Sequence, residues 1–232
     1  MVTAMQIASV LEFSYRKSEL LKQVELDRWL ANAEAIFEQD QYGIKVAKLA
    51  NGDFIKIFRV KRLFSIAHVY SYARMFCRNA ERIAKLGIPT AKVKQLYHIQ
   101  NSNKTAVVYE PLYGDTILDI LRSRNISIAL SKDLGAFIAE VHEKGIYFRG
   151  LHLGNIVLTP ENKMGLIDVA DMTIFPWSLD CRRRLKNFSR FWRDFENKFI
   201  FGYEEIQALV EGYHASCKKV DMRLKDIQAR IL

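Results

Sequence analysis

Two short apolar runs late in the chain, residues 155–158 and 164–168, flank Thr159-Pro160-Glu161-Asn162 and constrain the fold more than any other feature. Proline and asparagine favour a chain reversal, so the two runs are expected to pair as a β-hairpin. Asn155 opens the first run and Asp168 closes the second, thirteen residues apart, a spacing that leaves room for a tight hairpin between them.

Earlier in the chain the texture is different. Residues 42–58, YGIKVAKLANGDFIKIF, read as two strands joined at Asn51-Gly52, because Asn-Gly supplies the positive φ angles of a tight hairpin turn. From about Ser65 to Leu86 apolar residues recur at helical spacing until Gly87-Ile88-Pro89 stops the helix. Residues 94–98 and 105–109 form another expected strand pair about Asn101-Ser102-Asn103. After Glu110-Pro111-Leu112 helices dominate: residues 116–122, then 131–144 with Ser131 as its N-cap, then a basic helical stretch from Leu179 and a last helix over 203–218 before a polar tail. The expected architecture is α+β in two lobes, residues 1–110 as a small antiparallel sheet with one main helix and 111–232 as a mostly helical lobe.

Composition narrows the classes. A chain of 232 residues that is 50% hydrophobic buries a real core. Charges break the longest apolar stretches well short of the roughly 20 residues of a membrane span, so no transmembrane helix is expected. The first 21 residues lack a basic region ahead of their apolar residues and a small-residue cleavage site, so no secretory signal is expected and the location is expected to be cytoplasmic. Cys77, Cys181 and Cys217 are widely spaced and read as plain structural thiols. The net charge of +9 points to an anionic partner, whether phosphate-bearing lipid, nucleotide or nucleic acid.

Three stretches carry a resemblance. Lys56 sits between isoleucines in Phe54-Ile55-Lys56-Ile57-Phe58, like the lysine strand of kinases, and strand alternation places it with Phe54 and Phe58. The run Phe148-Arg149-Gly150-Leu151-His152-Leu153-Gly154-Asn155-Ile156-Val157-Leu158 looks like the catalytic loop His-Gly-Asp-Leu-His-x-Gly-Asn-Ile-Leu of small-molecule kinases. Gly165-Leu166-Ile167-Asp168 resembles the strand that ends in a kinase's metal-binding aspartate. Together with Ala84-Lys85-Leu86-Gly87-Ile88-Pro89-Thr90, these stretches make residues 25–215 similar to the bacterial lipopolysaccharide-core kinases and the related toluene tolerance proteins, which have a protein-kinase-like fold.

The resemblance implies ATP and magnesium as cofactors: Lys56 on the nucleotide phosphates, Asn155 and Asp168 on the metal, and Glu110 and Leu112 in the connection completing the cofactor-binding set. It implies as acceptor a lipopolysaccharide-core saccharide or similar anionic glycolipid, handled at the cytoplasmic face of the inner membrane. The chain departs from the family at three places. Gly150 stands where the catalytic aspartate belongs, Phe76 where a helix glutamate pairs the strand lysine, and no glycine-rich phosphate loop precedes Tyr42. His152 and Asp171 are the candidates to replace the missing base, and Glu81 the candidate for the helix glutamate. Arg149 reads either as a phosphate or acceptor contact or as half of a surface pair. The run Cys181-Arg182-Arg183-Arg184-Leu185-Lys186, with Arg190 and Arg193, reads as a membrane or saccharide contact, a solvated helix face or, less favoured, a nucleic-acid surface. A pseudokinase that binds nucleotide or a partner and regulates envelope assembly is the alternative to the enzyme.

Overall fold

The computed structural model describes residues 18–59, 72–123, 127–193 and 201–218. The segment read for a secretory signal, the first turns of the helix expected from Ser65 and the polar tail lie outside the described residues. Among the described residues the chain is a mixed α+β protein with a small, largely antiparallel sheet and six α-helices, and no helix is long and apolar enough to cross a membrane. It divides into two compact units, Met1–Arg82 with Ala91–Pro111, and Ile83–Thr90 with Leu112–Leu232.

The first unit comprises β1 (Glu19–Leu21), α1 (Gln23–Ala31), β2 (Ala35–Asp40), β3 (Gly43–Lys48), β4 (Phe54–Arg59), most of α2 (Tyr72–Lys85), β5 (Lys92–Ile99) and β6 (Lys104–Glu110). The six strands run in the order β1-β5-β6-β4-β3-β2, antiparallel throughout except that β1 lies parallel to β5. Alternation along β4 divides its residues between two faces. Ile55 and Ile57 pack with Leu21, Leu26, Ile99, Ala106 and Val108, while Phe54, Lys56 and Phe58 are half-buried. In α2, Ala73, Phe76, Cys77, Ala80 and Ile83 are buried at the three- and four-residue spacing of a single apolar stripe.

The β3–β4 connection is wider than the tight Asn-Gly turn expected of it. Leu49 N donates to Asp53 O (2.7 Å) and Gly52 N to Leu49 O (2.9 Å), and of the Asn51-Gly52 pair only Gly52 takes positive φ. Ala50 and Asn51 occupy the centre of the turn, and the glycine makes a bulge after it. Asn51 instead uses its side chain, accepting from Asp53 N and donating to the Asp53 carboxylate.

The second unit holds β7 (Asp115–Thr116), α3 (Ile117–Ser123), α4 (Ile128–Glu143), β8 (Ile146–Phe148), β9 (Ile156–Leu158), β10 (Met164–Leu166), β11 (Met172–Ile174), α5 (Cys181–Arg193) and α6 (Tyr203–Ser216). At its start the end of α2 closes as expected at Gly87. Gly87 N bonds Ala84 O and Ile88 N bonds Ile83 O, the paired bonds that satisfy a helix's last carbonyls. Helix α4 begins a turn earlier than expected. Ser127, in extended conformation, accepts from Leu130 N at 3.1 Å and is the N-cap, whereas Ser131 is wholly buried inside the helix. Helices α4 and α6 approach backbone to backbone, since a Cβ on Gly135 would strike the Leu209 carbonyl and one on Gly212 the Lys132 carbonyl.

Candidate functional site

Two loops of the second unit are held by strand pairs at both ends. Residues 149–155 connect β8 to β9 and residues 167–171 connect β10 to β11. β8 pairs with β11, with Phe148 opposite Met172, and β9 pairs with β10, with Ile156 opposite Leu166. Arg149 N donates to Asp171 O at 3.1 Å and Ile167 N to Asn155 O at 3.0 Å, so the ladders extend into the loops from either end. The register brings Asn155 and Asp168 to the same open end of the β9–β10 hairpin.

Each loop is pinned by apolar residues. Leu151 and Leu153 are buried, as are Val169 and Ala170. Between them, the Asn155 Nδ2 donates to Gly150 O at 2.9 Å. A carbonyl acceptor requires the NH2 side of the amide, so this bond does not use the Asn155 Oδ1, and among the described residues this oxygen accepts no protein hydrogen bond. Asp168 is exposed and takes φ 52° and ψ 45°, a left-handed conformation that costs a non-glycine residue about 1 kcal/mol or more and occurs preferentially at functional sites. Val169–Asp171 then makes one 3₁₀ turn, which Asp168 does not cap with its side chain.

These two oxygen donors fit magnesium, a hard cation that binds few carboxylates and keeps waters or substrate phosphates as its remaining ligands. Among the described residues no group of three or more His, Cys, Asp and Glu gathers into a metal site. A cation at this end of the hairpin would therefore complete its shell with water and phosphate oxygens.

The other residues of the loops are placed as follows. Arg149 and Asp171 bind each other, with Arg149 Nε 2.6 Å from Asp171 Oδ1 and the Arg149 Nη2 also on that oxygen. Asp171 is thus engaged as the partner of Arg149, which disfavours it as the replacement base. The half-buried His152 ring lies over Gly154, 3.3 Å from where a Cβ on that glycine would sit. Gly150 does not have positive φ, so what glycine provides there is room: a Cβ would lie 2.9 Å from the Phe148 ring and 3.3 Å from Asn155 Nδ2. The half-buried Leu112 lies against Gly165 of β10, where a Cβ would come within 2.5 Å of both the Leu112 side chain and the Pro89 carbonyl. That close approach accompanies a hydrogen bond from Leu166 N to Pro89 O at 2.9 Å and another from Thr90 Oγ1 to Leu166 O at 2.7 Å.

In the first unit Lys56 stands opposite Val46 and Val107, with its Nζ 5.7 Å from the Phe58 ring centroid. Phe76 of α2 packs against Phe58 at 6.0 Å and Tyr109 at 5.3 Å between centroids, so an aromatic ring, where the resemblance implies a glutamate, lines this face of the sheet. Glu81 lies five residues further along α2 and is half-buried. Glu110 ends β6 and pairs loosely with Lys92 at 3.7 Å. The β2–β3 turn contains only Gln41 and Tyr42 between its strands and is closed by Asp40, which accepts from Tyr42 N and binds Arg59 at 2.6 Å and Lys45 at 3.6 Å. Burial alone would raise the Asp40 carboxyl, but the Tyr42 amide and the Arg59 guanidinium outweigh it and hold the group below the usual carboxylate range. An acidic turn with its cations engaged is no cradle for phosphate.

The basic helix α5 is not a uniform cationic face. Arg184 is completely buried, donating from Nη2 to Glu143 at 2.9 Å, from Nε to Leu179 O at 2.7 Å and from Nη1 to Tyr213 Oη and Cys217 Sγ, both at 3.3 Å. It is thereby removed from any set of lipid, saccharide or nucleic-acid contacts. Arg183 pairs with Asp180 and lies over the Phe175 ring, and Arg190 lies over the ring of Tyr147. Next to Arg184, His142 is fully buried between Tyr213 Oη at 2.9 Å and Asn187 Oδ1 at 3.2 Å. Asn187 in turn donates to Phe148 O at 2.7 Å, tying this polar cluster to the residue just before the 149–155 loop. Nothing in the local sequence singles out these polar residues as buried.

Neither a scan against protein-family models nor a search of the curated proteins finds a match.

Proposed function

We propose that the chain is a kinase-like phosphotransferase that binds ATP with magnesium and passes the terminal phosphoryl group to a hydroxyl of a lipopolysaccharide-core sugar or similar anionic glycolipid. The reading is supported above all by one observation: Asn155 and Asp168 emerge at the same end of the β9–β10 hairpin, with the Asn155 amide nitrogen, not its oxygen, committed to the Gly150 carbonyl. In a two-lobed kinase-like arrangement, a small sheet with one long helix precedes a helical lobe that carries such a hairpin, and the element order agrees with that. Magnesium would supply charge neutralisation to the transferred group, and the protein's part is to hold it. The acceptor hydroxyl must surrender its proton as the new P–O bond forms and the bond to ADP breaks. His152 is the remaining candidate to take that proton. Lys56 enters as a phosphate ligand through the family resemblance alone, and the cytoplasmic face of the inner membrane enters in the same way.

A second reading, a pseudokinase that binds nucleotide or a partner without chemistry, is favoured by the crowding about Gly150 and by the Arg149–Asp171 pair. Incubation with γ-labelled ATP, magnesium and a dephosphorylated core saccharide distinguishes the two. Label in the saccharide that Asp168→Asn abolishes supports the enzyme. Magnesium-dependent ATP binding without transfer supports the pseudokinase, and absence of both contradicts the kinase-like reading.

A further inference from the structure

The first unit carries a second feature, on the sheet face opposite Lys56. A cavity of about 520 Å³ opens between α1 and the strands, lined by Trp29, Asn32, Asp53, Gln95 and Tyr97, with Arg28 and Lys94 also on its wall. That volume lies within the range of roughly 300–1,000 Å³ typical of small-molecule pockets. Its base is apolar: Trp29 and Tyr97 meet edge to face, with centroids 5.7 Å apart and planes at 74°, and both pack on the core cluster of that face.

The polar groups are of a particular kind. Asp53 is 5% exposed yet lines the cavity, and its carboxylate takes one bond from Lys94 at 2.6 Å and one from Asn51 at 3.0 Å. A carboxylate has about four lone-pair sites, so Asp53 retains acceptor capacity. The amide nitrogen of Asn32 donates to Arg28 O at 2.8 Å and that of Gln95 to Leu96 O at 3.3 Å, which leaves the two amide oxygens as further acceptors. A buried carboxylate and planar amides around half-buried aromatic rings match a ring with an apolar C–H face and a rim of hydroxyl groups. The edge-to-face rings offer no parallel pair to sandwich a nucleobase. Lys94 is matched by Asp53, and Arg28 adds a further positive charge on the wall that suits an anionic substituent.

We infer that this cavity is a saccharide-binding site, with preference for a sugar phosphate over the neutral sugar. The inference involves neither ATP nor magnesium and stands apart from the phosphotransferase reading. The test is ¹⁹F NMR on protein labelled with 5-fluorotryptophan, the Trp29 resonance being assigned by its loss in Trp29→Phe. Glucose 6-phosphate, glucose and inorganic phosphate are the probes. Glucose 6-phosphate is expected to shift the Trp29 resonance saturably and glucose to do so more weakly. Arg28→Ala and Gln95→Ala, at exposed and half-buried positions, are each expected to weaken glucose 6-phosphate by about tenfold. The inference is overturned if neither sugar moves the resonance, if both variants bind as well as the wild type, or if inorganic phosphate alone reproduces the shift and so marks a simple anion site.

Discussion

Replacing Gly150 with aspartate installs the residue that the proposed kinase-like reading expects in the loop, and the structure says what it would cost. The new Cβ would lie 2.9 Å from the Phe148 ring and 3.3 Å from the Asn155 amide. Phe148 cannot easily yield, because its side chain is completely buried and its carbonyl is held by Asn187 at 2.7 Å. Overpacking of this sort costs about 1–3 kcal/mol, and with a fixed neighbour about 2 kcal/mol is expected. For a chain of this size that lowers the melting temperature by roughly 4–8 °C. Gly150→Ala adds the same Cβ without the charge and should lose a similar amount. A positioned base ordinarily contributes about 10²–10⁴-fold, so on the proposed phosphotransferase reading, if the loop had room for aspartate, phosphoryl transfer should rise by that order. The expected result is a lower melting temperature for both variants, followed by circular dichroism, and no such gain for Gly150→Asp. Variants that melt with the wild type, or an aspartate variant with strongly raised turnover, would refute the packing argument.

Gly135→Ala in α4 should destabilise the second unit despite the gain of about 1 kcal/mol in helix propensity, because the methyl group meets the Leu209 carbonyl; urea unfolding should show a net loss of at least about 1 kcal/mol. Arg184→Met leaves Glu143 without its buried partner and should cost about 3–5 kcal/mol, whereas Arg182→Met, two residues away and exposed, should change stability by less than about 0.5 kcal/mol in the same assay. His142 is held neutral, its pKa lowered to about 3 by burial and by the neighbouring Arg184 charge. The unfolded chain protonates this residue below about pH 6.5 while the folded chain does not, so its contribution favours unfolding progressively as the pH falls from 6.5 towards 3. Between pH 7 and pH 5 the wild type should lose about 2 kcal/mol that a folded His142→Gln variant retains, measured by chemical unfolding at each pH.

The pieces legible in the sequence are those specified locally. The β9–β10 hairpin follows from two apolar runs about Thr159-Pro160-Glu161-Asn162, and the end of α2 from Gly87 with Pro89 beyond it. The place of Phe76 on the Lys56 side of the first unit was likewise reachable by counting back from that stop. Elements that depend on distant partners were not legible. β1 has three residues and exists through parallel pairing with β5, whose first partner, Tyr97, is far along the chain. β2 shows no alternation, since four consecutive residues in it are exposed, and only its pairing with β3 makes it a strand. Ser131 and Ser127 are equally good caps by residue type, and only the fold separates them, with Ser131 buried inside the helix and Ser127 exposed at its start. Arg184 sits in a run of basic residues that reads as solvated, and the carboxylate that permits its burial, Glu143, lies on another helix. At the site, the resemblance of two stretches to kinase loops pointed to Asn155 and Asp168, but the engagement of Asp171 by Arg149 depends on the β8–β11 pairing.

Magnesium-dependent nucleotide binding tests the central claim most directly. Calorimetric titration of ATP into the wild-type protein, with and without magnesium, is to be repeated on Asp168→Asn and Asn155→Ala. The account predicts binding that requires magnesium and is weakened at least about tenfold by either substitution, with thermal melts showing both variants folded. Binding of equal strength in all three proteins, or no ATP binding by the wild type with magnesium present, would contradict it.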